Sequence, residues 1–217
     1  MNVVAVPVKD LVNAKQRLVR ALSPSERMDL ARAMLHDVLR ALIRAPLDAR
    51  WVITRDPDVT AIARDYGVEV IPEAVNQGHT AAVAAAQALA VAAGARVFAT
   101  IPGDVPCVTA EEIRALVARA DAEGPAVAFA PSHSGLGTNG AALRPPGAMP
   151  LTFGEPSFDN HLRVARARGL VAHVLALPGL GLDVDGPADL PLLRARGEAT
   201  ESGRLLSRWS IAERRAV

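Results

Sequence analysis

Apolar and polar residues follow one another in a pattern that predicts strands and helices in turn. A continuous apolar run at 3–8 predicts a buried strand, and Pro7 within it indicates that the chain leaves the sheet there. Ser23, Pro24 and Glu26 together are typical of a helix start. Apolar residues with a period of 3.6 carry that helix to about Arg44.

The same alternation continues through the middle of the chain. Strands are predicted at 51–54, 68–71, 96–101 and 126–130, and the helices between them at 58–66, 80–93 and 110–121. Strands separated by helices of this length predict βαβ units, and therefore an α/β fold with a mostly parallel central sheet and helices on both faces.

Beyond residue 135 the alternation weakens. We predict an edge strand at 141–144, a helix at 157–168, a strand at 171–177 and a short helix at 187–196. No repeat or linker divides the chain, so residues 1–196 are expected to form a single domain. Residues 197–217 lack a clear core pattern, and we expect a C-terminal tail that is partly ordered or contacts another subunit.

The composition narrows the class of protein. Of 217 residues 50% are apolar, which is too many for a disordered chain, and a net charge of +1 gives no electrostatic reason to expect a nucleic-acid partner. A single cysteine excludes a disulfide framework and a four-cysteine zinc site. The sequence has no apolar run of membrane-spanning length and no basic region before its first apolar stretch, so a cytoplasmic protein without a membrane partner is expected.

Lysine is almost absent, and its two occurrences lie close together. Of 24 basic residues only Lys9 and Lys15 are lysine, and both follow the first predicted strand. GC-rich coding explains the excess of arginine, but the exceptions mark a loop where a compact ammonium is favoured over a planar guanidinium. With Arg17 they place three cations within nine residues, which suits a triphosphate. An ordinary solvated basic loop is the alternative.

Aspartates follow two further predicted strands. In open α/β sheets, ligands bind at the carboxyl ends of the strands. Asp104 lies on a turn made by Gly103 and two prolines, where it is suited either to hold a divalent cation or to cap backbone amides. Asp183 and Asp185 are two residues apart in an extended segment and therefore point the same way. The two aspartate segments together indicate a Mg²⁺–nucleotide site.

Residues 135–140 match the dinucleotide fingerprint GxGxxG, but the following residues cannot form the helix on which that fingerprint depends. We expect instead a glycine-rich loop whose amides bind a small phosphorylated or carboxylated substrate. Ser157 at a helix start is either a further anion contact or only a helix cap. The loop of Asn76, Gly78 and His79, after the third strand, is a candidate contact for a base or ribose.

Five segments carry a resemblance to a known family. They are VPVKDLVNAKQRL at 6–18, IPGDVP at 101–106, SGLGTNGAAL at 134–143, FGEPSFDNHLRVARARG at 153–169 and LGLDVDGPADL at 180–190. In this order, across residues 3–196, they resemble the CofC/FbiD guanylyltransferases of coenzyme F(420) biosynthesis. The resemblance implies a single-domain Rossmann-like nucleotidyltransferase fold. It also implies an enzyme that uses GTP and Mg²⁺ to place GMP on 2-phospho-L-lactate, phosphoenolpyruvate or 3-phospho-D-glycerate, with release of pyrophosphate.

Carried over by position, the family pattern implies roles for individual residues. The Mg²⁺ ligands would be Asp104, Asp183 and Asp185, and the catalytic cations Lys9, Lys15 and Arg17. The expected nucleotide contacts are Pro7, Lys9, Lys15, Arg17, Asn76, Gly78 and Gly103. The expected acceptor contacts are Thr138, Asn139, Gly140, Gly154 and Ser157.

One departure from the family leaves the acceptor open. A threonine that contacts the acceptor in the phosphoenolpyruvate-using members appears here as Gly140. The resemblance is compatible with a homodimer and implies only small-molecule substrates. Two alternatives also fit the residues. One is a GT-A glycosyltransferase that uses 183–185 as its metal motif, and the other is a GTP-binding regulator without turnover.

Overall fold

The computed structural model describes residues 1–73, 77–121 and 124–209. Within these ranges the strands are β1 (Asn2–Pro7), β2 (Ala49–Thr54), β3 (Glu69–Pro72), β4 (Val97–Thr100), β5 (Ala126–Pro131), β6 (Thr138–Arg144) and β7 (Val171–Val174). The helices are α1 (Pro24–Arg44), α2 (Pro57–Asp65), α3 (His79–Ala92), α4 (Ala110–Ala120), α5 (Ser157–Ala167), α6 (Asp189–Arg196) and α7 (Glu201–Arg208). A short 3₁₀ helix, Gln16–Leu18, precedes α1.

All seven strands form one sheet in the order β3-β2-β1-β4-β6-β5-β7. Every neighbouring pair is parallel except the two that involve β6, which runs antiparallel to β4 and β5. The predicted α/β class, with a mostly parallel sheet in a single domain, is confirmed. The carboxyl ends of β1 and β4 therefore open on the same edge of the sheet.

Alternate residues of β1 enter two different cores. Val4 and Val6 pack with α1, α2 and α4, whereas Val3 and Ala5 pack with α3 and α5. The sheet is covered on both faces, which explains why its central strands are continuous apolar runs. Helix α1 begins as predicted, because Ser23 and Glu26 form a reciprocal capping box.

The prediction of an edge strand at 141–144 is wrong. Strand β6 begins at Thr138 and lies inside the sheet between β4 and β5, and the edge is taken by β7, which ends at Val174 rather than at residue 177. Residues 138–140 looked like a loop because they are polar or glycine. The buried Thr138 and Asn139 are satisfied by side-chain hydrogen bonds, which make the positions compatible with a central strand.

The C-terminal segment contains a helix that the apolar pattern did not show. Helix α7 packs on α1, and its Leu206 enters a third core cluster with Leu18, Leu193 and Val184. Asp37 of α1 accepts hydrogen bonds from the backbone N–H groups of Glu201 and Ser202 at 2.7 and 2.9 Å. No helix within the described ranges is both long and apolar enough to cross a membrane.

Candidate active site

The predicted triphosphate loop and the two aspartate segments meet at the carboxyl edge of the sheet. They border a cavity of about 630 Å³, a volume within the range typical of small-molecule sites. Seven of the predicted site residues line it: Pro7, Lys9, Lys15, Arg17, Gly103, Asp104 and Asp185. The Val184 N–H donates to the Asp104 carbonyl at 3.1 Å and joins the two aspartate segments.

Lys15 is the centre of this arrangement. Its ammonium donates to Asp104 Oδ2 and, at 3.0 Å, to Asp185 Oδ1, and its side chain is only 7% exposed. Burial opposes the charged form, but the two carboxylates outweigh that effect and raise the pKa of Lys15 above its ordinary value. Among the described residues Lys15 is the only one other than glycine with a positive φ, at 56°. Strained backbone of this kind is characteristic of functional sites.

The two more exposed cations extend the positive side of the cavity. Arg17 reaches Asp185 Oδ2 at 3.8 Å with a largely exposed side chain, and Lys9 is exposed at the cavity wall. Gly103 faces the first strand closely, since a Cβ atom there would lie 3.0 Å from Val8 Cγ2. The glycine therefore lets the turn that carries Asp104 approach β1.

Asp183 is held by Asn139 and lies beside His133. Its Oδ1 accepts from Asn139 Nδ2 at 3.0 Å and lies 3.6 Å from His133 Nδ1. Burial raises the pKa of Asp183, the Asn139 bond opposes the rise, and the negative charges of Asp104 and Asp185 add to it. The three predicted metal ligands are thus close enough to interact electrostatically, although Asp183 does not line the cavity.

Asp189, the first residue of α6, is a positioning residue. Its Oδ2 accepts from the N–H groups of Asp185 and Gly186 at 2.9 and 2.7 Å, and its Oδ1 lies 3.2 Å from His133 Nε2. One carboxylate therefore holds the turn that carries Asp185 and the imidazole beside Asp183. The four-residue spacing between Asp185 and Asp189 was the available signal, since aspartate commonly caps a backbone turn three or four residues away.

The chemistry of the donors, though not their arrangement in this structure, suits a divalent cation of the Mg²⁺ type. Three carboxylates supply hard oxygen ligands, and their mutual repulsion, visible at Asp183, would be relieved by an added positive charge. Within the described ranges, no three histidine, cysteine or acidic side chains stand in a metal-ligating arrangement. The ammonium of Lys15 takes the position between Asp104 and Asp185 instead.

The predicted acceptor residues form a second group around the start of α5. The Thr138 N–H donates to Ser157 Oγ at 3.0 Å, and both side chains are buried. Gly140 lies within β6, where a Cβ atom would come within 2.7 Å of Leu180. Gly154, with a φ of 112°, lies in the exposed turn before α5. None of these four is among the described residues that line the main cavity.

The loop before α3 is only partly described. Asn76 lies outside the described residues, and Gly78 precedes α3 with a φ of 95°. His79, the first residue of α3, lines the cavity together with Lys9 and Asp104. The sequence hypothesis for this loop was a base or ribose contact, whereas the structure brings the imidazole beside the charged residues of the cavity.

This fold, with its cavity at the carboxyl edge of the sheet, defines the class of protein. A nucleotidyl transferase from Methanothermobacter thermautotrophicus has a similar structure, with a TM-score of 0.64 and 18% identity over 91% of this chain and 97% of that one. At this identity the similarity shows the fold, which is that of the nucleotidyltransferases.

Sequence comparison then identifies the family. The family model described as "Guanylyl transferase CofC like" matches residues 1–214. A phosphoenolpyruvate guanylyltransferase of Rubrobacter xylanophilus is 38% identical over 91% of this chain and 96% of its own length. A 2-phospho-L-lactate guanylyltransferase of Methanothermobacter thermautotrophicus is 37% identical over 93% of this chain and 87% of its own. The chain belongs to the CofC-like family and is a guanylyltransferase, as its sequence motifs predicted.

Proposed function

We propose that the enzyme transfers GMP from GTP to a phosphorylated three-carbon acid and releases pyrophosphate, as a step of coenzyme F(420) biosynthesis. The observation that carries the proposal is Lys15, buried between Asp104 and Asp185 at the wall of a cavity that Lys9 and Arg17 also line. A buried ammonium among carboxylates, with further cations beside it, suits a ligand that brings both phosphate oxygens and a divalent cation. The names of the relatives agree with this substrate class.

The chemistry requires no general base. The acceptor's phosphate is already ionised at neutral pH, and one of its oxygens forms a bond to the α-phosphorus of GTP. The bond from that phosphorus to the oxygen bridging to the β-phosphate breaks, and pyrophosphate leaves. The remaining task is to hold two anions in line and to stabilise charge, and this is the role proposed for Lys9, Lys15 and Arg17, which line the cavity.

Asp104, Asp183 and Asp185 are proposed to hold the divalent cation. When bound, Mg²⁺ would neutralise the charge of the phosphates as they meet. The ammonium of Lys15 would then exchange carboxylate partners for phosphate oxygens. Asn139 and Asp189 keep Asp183 and Asp185 in place through the hydrogen bonds described above.

The acceptor is the finer part of the proposal. Relatives named for phosphoenolpyruvate and for 2-phospho-L-lactate are 38% and 37% identical to this chain, so identity alone does not separate the two acids. We favour phosphoenolpyruvate because six relatives at 35% to 39% identity carry that name. All three acids should be tested, because Gly140 stands where the phosphoenolpyruvate-using pattern has threonine.

The decisive experiment measures pyrophosphate release from GTP, ATP and CTP with each of the three acids, with the product identified by mass spectrometry. We expect release from GTP with phosphoenolpyruvate and a product carrying GMP on the acid. Transfer of a sugar with release of a nucleoside diphosphate would indicate a glycosyltransferase. Binding of GTP without turnover on any acid would indicate a regulator, and either result would overturn the proposal.

The metal assignment is tested separately. Asp104→Asn and Asp183→Asn remove negative charge without changing side-chain size, so the fold should persist while turnover falls by about a hundredfold or more. Asp58→Asn, at an exposed surface pair with Arg32, is the matched control and should retain activity. The readout is turnover against Mg²⁺ concentration. Unchanged turnover in both site variants would contradict the assignment.

A further inference from the structure

His79 stands at the junction of the two groups of predicted substrate contacts. On one side its imidazole lines the cavity with Lys9 and Asp104. On the other side its ring meets Phe153 edge to face, with the ring centroids 4.6 Å apart. Phe153 directly precedes Gly154 in the turn that leads to Ser157. If both groups bind their proposed substrates, the reacting phosphates meet between them, beside the imidazole.

The start of α3 is held against the turn of Phe153 and Gly154 by a contact that does not involve His79. The Phe153 N–H donates to Thr80 Oγ1 at 2.9 Å, and the same phenyl ring contacts His161 on its other side. The position of the His79 ring is therefore defined by a hydrogen-bonded backbone and a packed aromatic neighbour. Such a ring is preorganised to bind a ligand without losing much conformational freedom.

Neither ring nitrogen of His79 forms a hydrogen bond with a residue that the structure describes. His161, which contacts the same phenyl ring, differs because its nitrogens bond to Thr138 and to the Thr152 N–H. An imidazole that faces a cavity with its nitrogens unused has a donor and an acceptor available for a ligand.

Building on the proposed function, we infer that His79 contacts the acceptor acid, donating a hydrogen bond from its imidazole to a phosphate oxygen of that substrate. The acceptor is favoured over GTP because the contact with Phe153 places the ring against the turn assigned to the acceptor. Lys9 and Lys15 already supply the cations for the triphosphate.

The charge state of the imidazole agrees with this role. Burial lowers the pKa of His79, Asp104 opposes the shift, and Lys9 adds to it, so the neutral form of the ring is favoured. A neutral donor orients the attacking phosphate without withdrawing charge from it as strongly as a cation would. The residue would thus position the nucleophile while leaving it reactive.

Two kinds of substitution separate ligand binding from packing. His79→Phe keeps an aromatic ring against Phe153 and removes both nitrogens. His79→Asn and His79→Gln keep an amide N–H near the two ring nitrogen positions and remove the ring. His173→Gln, on the edge strand β7 away from the cavity, is the control. Thermal unfolding verifies that each variant is folded.

We expect His79→Phe to lower kcat/KM for the acceptor by about 10- to 100-fold while KM for GTP stays unchanged, because a hydrogen bond to an ionised group is lost. At least one amide variant should recover activity above that of His79→Phe. A phenylalanine variant within about twofold of wild type would assign His79 to packing only. A rise in KM for GTP with no change for the acceptor would assign it to the nucleotide. Either result overturns the inference.

A binding measurement separates failure of this inference from failure of the proposed function. Calorimetry with phosphoenolpyruvate in the presence of an α,β-methylene analogue of GTP requires no turnover. If wild type binds the acid but releases no pyrophosphate from GTP, the proposed reaction is wrong and the His79 contact is judged by binding alone. Equal affinity of wild type and His79→Phe overturns the inference, and a wild type that binds none of the three acids overturns both.

Discussion

Lys15 combines two unfavourable features, a strained backbone and a buried charge. Its backbone is in the left-handed region, and the cost of burying its ammonium is offset by the two carboxylates that accept its hydrogen bonds. The ammonium and its two carboxylate partners therefore stabilise one another as a unit. Where strained backbone and a buried charge coincide, binding rather than stability explains the choice of residue.

Lys15→Arg tests whether the loop requires an ammonium or only a charge. The guanidinium is larger and planar, and a side chain that is 7% exposed leaves little room for it between Asp104 and Asp185. We expect turnover to fall by about tenfold or more, with some loss of thermal stability. Arg20→Lys, an exposed exchange nearby, is the control and should have no effect. Undiminished turnover in Lys15→Arg would show that positive charge alone is sufficient.

At the scale of elements, α5 is attached to β6 by a small polar network. Thr152 donates its N–H to His161 Nε2 at 3.0 Å, so Nε2 must be unprotonated and Nδ1 carries the hydrogen that bonds Thr138 Oγ1 at 2.9 Å. The Ser157 hydroxyl completes the network at the helix start. The network fixes the turn that holds Gly154, and it requires a neutral histidine.

Burial lowers the pKa of His161 to about 4, which makes the network a source of pH-dependent stability. An unfolded histidine binds its proton near pH 6.5, whereas this one resists protonation until about pH 4, so the unfolded state binds more protons between these values. Stability from this group is complete above pH 6.5 and should fall by about 3 kcal/mol as pH drops to about 4.

Urea unfolding from pH 7.5 to pH 4 measures this dependence. The variant His161→Asn should be less stable at pH 7. Its free energy of unfolding should also fall less steeply as the pH is lowered, because the contribution of His161 to that fall is gone. The comparison of the two proteins isolates His161, because His79 has a pKa shifted in the same direction and remains in both. An equal slope in wild type and variant would assign the pH dependence to other groups.

At the scale of the whole molecule, the active site rests on a core that joins distant parts of the chain. Leu18 follows the lysine loop, Val184 lies between the two aspartates, and Leu206 belongs to α7. All three are almost fully buried in the same cluster. Because Leu206 packs in the cluster that supports both charged segments, the C-terminal helix contributes to the geometry of a site that it does not line.

Leu206→Ala should therefore affect both stability and activity. Truncation of a buried leucine costs about 2–5 kcal/mol, and the loosened cluster should also weaken the proposed activation by Mg²⁺. Leu143→Ala is the matched control, since that leucine is equally buried but belongs to the core on the other face of the sheet. If Leu206→Ala and Leu143→Ala lose activity only in proportion to their loss of stability, α7 has no positioning role.

Much of the fold followed from local patterns. The cap at Ser23, the apolar runs of β1 and β4, and the alternation of strands and helices all depend on residues a few positions apart. Part of the candidate site could also be predicted from the sequence, because residues that follow parallel strands gather at one edge of the sheet. Strand β6 was misplaced since its polar residues have partners far along the chain, such as the Asn139 contact with Asp183.

By itself the sequence determined the class of fold, the family, and the residue types that are proposed to meet the phosphates, because periodicity and motifs are local and each residue carries its chemistry with it. Only the tertiary structure decided which of these residues share a contact. It joined Lys15 to carboxylates 89 and 170 positions away and assigned α7 to the core beneath the site. It also placed His79 against Phe153. Contacts between distant segments depend on how whole elements pack, and a short stretch of sequence does not contain that information.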